Sequence, residues 1–182
     1  MIQPYITGFI SFAILSTLGE LIAFRMTGKK WGLPAGILWR LLVWGLTGIL
    51  ITLVFQIFNG GVTLCMADGY LPGGNNVFLL AFLTSATMNI FFAPTFMTAH
   101  KIAETCIELK CGEKKMEKLS PTTVLDNIDW HNLFSFVFIK TIPLFWIPAH
   151  TVAFLLPDEY RVIFASFLSI ILGVLLSLGQ KR

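Results

Sequence analysis

The stretch from Asp129 to Arg161 reads DWHNLFSFVFIKTIPLFWIPAHTVAFLLPDEYR. It is apolar over more than the roughly 20 residues a helix needs to cross a bilayer. Yet it holds Lys140 near its middle, Pro143 and Pro148 in its interior, and His150 beyond them. A charge at membrane depth costs roughly 3 kcal/mol or more, so Lys140 requires a partner or a wet cavity. Each proline removes an i→i−4 bond, and α-helical geometry would leave the carbonyls of Ile139 and Leu144 free inside the membrane. A functional centre, if the chain has one, is expected here.

Working outward, the rest of the chain has the same character. Of its 182 residues, 55% are hydrophobic and 13% charged, where soluble proteins carry about 25% charge. Mean hydropathy is +0.77. The charges fall in short blocks between long apolar runs, so the expected class is all-α, a polytopic helix bundle in a single transmembrane domain. Five spans are predicted, at about 4–24, 35–58, 77–98, 130–156 and 158–179, with a polar cytoplasmic loop at about 99–129. The glycines and Pro72 between Asn59 and Asn76 predict a loop there. Past Thr98 the third helix is expected to run on out of the membrane, since Ile102, Cys106 and Leu109 share one stripe. Ser120-Pro121 reads as a break within a loop.

Five spans place Arg25, Lys29, Lys30, Arg40, Lys101, Lys110, Lys114, Lys115, Lys118, Lys181 and Arg182 on one side. The other side has Asp68, Asp158, Glu159 and one basic residue, Arg161. Basic loops stay cytoplasmic, so the N-terminus is expected outside and the C-terminus inside. Four spans would split the basic blocks between the two sides. The first apolar run lacks a basic leader and a small-residue cleavage site, so a retained span is expected rather than a removable signal. The net charge of +3 is explained by these loops, and no nucleic-acid partner is expected. The partners expected are the lipid bilayer and a small solute. A prokaryotic plasma membrane is the expected location, with an organelle membrane as the alternative.

Two motifs carry a resemblance. One is Trp146-Ile-Pro148-Ala-His150-Thr-Val-Ala153-Phe154-Leu-Leu-Pro157-Asp-Glu-Tyr160-Arg161; the other is Met88-Asn89-Ile-Phe-Phe92-Ala93-Pro94. They resemble the C-terminal signature and the earlier Asp-Gln-x-x-Phe-Ala-Pro motif of the Mpv-seventeen family, also called the peroxisomal membrane protein twenty-two family. The Pro-x-x-Tyr-Arg element is intact. His150 stands where the family has Gln and Ala153 where it has Asn, and the run to Pro157 is one residue shorter. Met88 replaces the acidic residue and Asn89 the Gln of the earlier motif. The resemblance implies a compact bundle, usually described with four spans, some members forming channels for small solutes.

Lys140, some 15 Å into its helix at 1.5 Å per residue, is placed near the bilayer midplane. It either lines a solute path, pairs with Glu20, whose depth is similar, or hydrogen-bonds the carbonyls left free around Pro94. Asn89 and His150 either line the same cavity or hydrogen-bond each other's helices. Pro94, Pro143 and Pro148 are expected to kink their helices. Trp146 reads as packing or an interface anchor, and Arg161 as locked to Asp158 three residues earlier. Ala165, Ser169, Gly173 and Ser177 recur every four residues, a small-residue stripe for a neighbouring helix or a second copy.

Three cysteines form no disulfide framework or zinc spacing, and no catalytic motif is present, so neither cofactor, metal nor enzyme activity is expected. The expected function is a channel or transporter for small polar or anionic solutes through the bundle core. The alternative is a non-conducting membrane protein whose polar core only locks its helices.

Overall fold

A computed structural model describes residues 2–26, 33–112 and 115–179, with side chains to 174. Every regular element in it is helical. We label them α1 (Gln3–Met26), α2 (Ile37–Ala67), α3 (Val77–Phe91), α4 (Ala93–Cys111), α5 (Pro121–Asp126), α6 (Trp130–Leu155) and α7 (Asp158–Gly179). Three of these, α1, α2 and α6, are long and apolar enough to cross a membrane, and α3 with α4 makes a fourth if the pair, bent by 50°, is one span. Among the described residues the count of spans is therefore three to four. The fifth expected span coincides with α7, whose side chains are described to Val174.

The helices close into a ring: α1 packs on α2, α2 on α3, α3 on the C-terminal half of α6, α6 on α7, and α7 returns to α1. Small residues make the two closest approaches. Gly8 and Gly48 bring α1 and α2 into backbone contact, and a Cβ on Gly8 would lie 2.6 Å from the Gly48 carbonyl oxygen. Gly19 and Gly173 do the same for α1 and α7, where a Cβ on Gly173 would lie 3.0 Å from the Gly19 carbonyl oxygen. Without a hydrophobic drive between helices in lipid, such close packing supplies the association energy. Phe12, Phe55 and Phe154 fill the middle of the ring with Ile51, Val54, Ala81, Met88, Val162 and Ala165.

Several expectations need correcting. The predicted loop from Asn59 is helical to Ala67, which makes α2 31 residues long. That is about 46 Å at 1.5 Å per residue, against a hydrocarbon core of roughly 30 Å. Gly60 and Gly61 each cost about 1 kcal/mol in a helix. Phe58, Val62 and Met66 nonetheless continue the inward stripe, the last two buried. The loop starts only at Asp68. Its turn needs Gly73 at φ 123°, where a Cβ would also strike Leu79 Cδ2 at 2.6 Å. Asn76 then caps α3, its side chain accepting from the Leu79 N–H at 3.0 Å.

Ser120-Pro121 is not a break but the start of α5: Ser120 accepts from the Thr123 N–H at 3.1 Å, and proline fits the first turn. The small-residue stripe of α7 is covered by α1 of the same chain, with Ser169 Oγ donating to Ser16 Oγ at 2.8 Å. As far as it is described, that stripe is not left for a second copy. Lys29, Lys30, Lys114, Lys181, Arg182 and the Ser177 side chain lie outside the described residues.

Candidate functional site

From Leu133 to Trp146, α6 is wound as a wide helix with i→i−5 bonding and returns to α-helical form over Ile147–Leu155. The Ile147 N–H donates to the Ile142 carbonyl, and Thr141 Oγ1 to that of Phe136 at 3.2 Å. In such a helix Pro143 leaves the carbonyl of Phe138 without its donor, not that of Ile139. Pro148 stands in the first turn of the α-helical half, where a missing N–H costs least.

This winding places Lys140 on the outside of the bundle. It is exposed beside Ile139, Pro143 and Leu144, the aliphatic pair being 69% and 76% exposed. The expected cavity wall and the expected pairing with Glu20 are both overturned. Glu20 pairs instead with Arg40, whose Nη1 lies 3.1 Å from Glu20 Oε2.

The C-terminal half of α6, Ile147–Leu155, does carry a polar core with α3. Asn89 Nδ2 donates to the Ser85 carbonyl at 2.8 Å and lies 3.1 Å from His150 Nδ1. Ser85 Oγ donates to the Ile147 carbonyl at 2.7 Å, as Thr151 Oγ1 does. Asn89, Ser85 and His150 are buried. Small buried residues, Ala81 and Ser85 on α3 and Ala153 on α6, let the two helices pack closely around this polar pair. Trp146 stacks on His150 with ring centroids 5.1 Å apart, and Phe55 meets the same imidazole edge-on at 5.6 Å.

At the C-terminal end of α6, Arg161 fastens the turn to α7. It pairs with Asp158 at 2.7 Å, donates to the Leu156 and Phe154 carbonyls at 3.0 and 3.2 Å, and lies over the Phe154 ring. These interactions give Phe154 and Arg161 of the motif a structural role; Pro157 and Tyr160 are exposed.

The sequence reading missed the opposite end. Arg40, with a side chain only 9% exposed, meets Glu20 of α1 and both Glu104 and Glu108 of α4, the last two at 3.7 Å. Its Nε donates to the Ala35 carbonyl at 3.2 Å, and Lys101 Nζ bonds Glu104 at 2.9 Å. Beside it an aromatic ladder runs Phe92, Phe96, His100, Trp44, the last two rings 4.2 Å apart. A small cleft lies between α1, α2 and α4, lined by Glu20, Arg40, Trp44, His100 and Glu104.

Reading Arg40 only as a topology signal hid this cluster. Glu20 stands six residues before the end of α1 and Arg40 three after the start of α2, about 9 and 5 Å from those helix ends at 1.5 Å per residue. That match in depth was the available sign.

Ala93 begins α4 directly after the 50° break at Phe92, and Pro94 sits in its first turn. Proline there lacks the N–H that would reach the Ile90 carbonyl, which accounts for the bend. Thr17 Oγ1, Thr84 Oγ1 and His100 Nδ1 are shut off from solvent and have no partner among the described residues. No group of three or more His, Cys, Asp or Glu suited to a metal ion occurs among the described residues, and the three cysteines are free. Comparison of the chain with protein-family models, with curated proteins and with solved structures gave no match.

Proposed function

We propose that the chain is a five-span membrane protein, N-terminus outside and C-terminus cytoplasmic, that passes small polar or anionic solutes through the middle of its helix ring. The fold described is then its closed form. The observation that carries this reading is the presence of buried polar atoms left unpaired among the described residues, Thr17 Oγ1, Thr84 Oγ1 and His100 Nδ1 among them. An unpaired buried donor or acceptor costs about 1–3 kcal/mol. A bundle that stays dry has no reason to keep them, whereas a path that fills with water or solute satisfies them. The resemblance to the Mpv-seventeen family, some of whose members are described as solute channels, points the same way. Lys140 lies outside the ring, so Arg40 at the inner end becomes the cation an entering anion would meet.

A second reading, a non-conducting bundle locked by its polar core, draws on the phenylalanine plug of Phe12, Phe55 and Phe154 and on the mutual pairing of Asn89 and His150. Hydrophobic constrictions also gate channels, so one experiment separates the two. Purified protein in lipid vesicles would be assayed for flux of chloride, acetate and glycerol, as the native chain and as Phe55→Ala. The passage reading expects measurable flux that rises at least tenfold on trimming the plug. Absence of flux from both forms establishes the locked bundle.

A further inference from the structure

Resting on that reading, we infer that α4 is the inner gate of the path, hinged at the Phe92 break and latched shut by Arg40. The two ends of this gate are distinct in the structure. At the hinge, the helix bends by 50° and Pro94 leaves the backbone one hydrogen bond short. At the other end, α4 is held to α2 by Arg40–Glu104 and Arg40–Glu108, each 3.7 Å, and by the contact of His100 with Trp44, while Ile107 packs under Gly36.

The strengths are graded in a way that suits a latch. Arg40 is anchored independently of α4, by Glu20 at 3.1 Å and by the Ala35 carbonyl. The pairs that cross to the hinged segment are the longer ones. Lys101 bonds Glu104 within α4 itself and can keep that carboxylate neutralised once it leaves Arg40. Release of α4 therefore strands neither Arg40 nor Glu104 without a partner, which is the usual penalty for breaking a buried ion pair. Only Glu108 goes unpaired, and its side chain is already 62% exposed.

What the gate covers is also visible. The cleft between α1, α2 and α4 is bounded by Glu20, Trp44 and His100, and the unpaired His100 Nδ1 belongs to its wall. Thr17 lies one helical turn deeper than Glu20 on the same face of α1, buried and with its hydroxyl unpaired. A swing of α4 about Phe92 would open that cleft toward Thr17.

Thiol labelling tests this without relying on transport. In a chain whose Cys65, Cys106 and Cys111 are changed to serine, Thr17→Cys would report access from the Arg40 side, using a membrane-impermeant maleimide. Glu104→Gln with Glu108→Gln removes the latch while leaving Arg40 its Glu20 partner, and labelling should quicken at least tenfold. Trp44→Cys with His100→Cys, in the background with threonine restored at position 17, provides the converse. Bridging that pair with a short bifunctional thiol reagent should abolish solute flux, and reducing a cleavable bridge should restore it. Unchanged labelling in the folded latch-free variant, or undiminished flux through a conducting protein once the pair is bridged, overturns the gate. If labelling quickens yet no solute passes in any form, the gate stands and the passage reading falls.

Discussion

Gly48 and Gly60 sit in the same helix and predict opposite outcomes on substitution. A methyl group at Gly48 meets the Gly8 backbone, whereas one at Gly60 has nothing within 4 Å. Gly48→Ala should lower stability by about 1–3 kcal/mol through overpacking. Gly60→Ala should be neutral or raise it by up to about 1 kcal/mol through helix propensity. Thermal unfolding midpoints in detergent would compare them, and equal effects would refute the Gly8–Gly48 crossing. Lys140 gives a second test at this scale. Since its side chain faces away from the ring, Lys140→Met should leave flux through the protein unchanged. Membrane insertion of α6 should become more favourable by roughly 3 kcal/mol, measured in a translocon insertion assay. Flux that drops would return Lys140 to the path.

Between α3 and α6 the Asn89–His150 contact is the polar joint, and its worth is measurable as a coupling. Asn89→Leu or His150→Leu alone strands the other polar group in the core, at about 1–3 kcal/mol. The double variant should be less destabilised than the sum of the two singles, since it strands neither. Strict additivity would mean the joint does not form. These two residues were legible in the sequence as polar positions in apolar runs, and so were the bounds of α6 and α7 to within a residue. The facing direction of Lys140 was not legible, because α-helical periodicity was assumed where the chain is wound with i→i−5 bonds. The end of α2 was misplaced for another reason. Glycine and asparagine signal a turn locally, but the burial of Val62 and Met66 is a tertiary fact that outweighs them.

For the molecule as a whole, the proposed orientation has a direct check. Cys65 lies near the C-terminal end of α2 and Cys111 at that of α4, and both are half-buried and free. An impermeant maleimide should reach Cys65 from outside the cell and Cys111 only from the cytoplasm; the reverse pattern would invert the topology. The closure of the ring has a further consequence, for biosynthesis. The face of α1 that carries Ser16 and Gly19 is covered by α7, a helix made much later in the chain. During synthesis that face has to wait through more than a hundred residues before its neighbour exists. A chain ending before Asp158 would therefore leave the membrane with an open seam, of the kind that quality-control proteases and insertion chaperones bind. Two separately expressed pieces, residues 1–112 and 115–182, should instead find each other in the bilayer, because α1 supplies the docking face that α7 was shaped to fill.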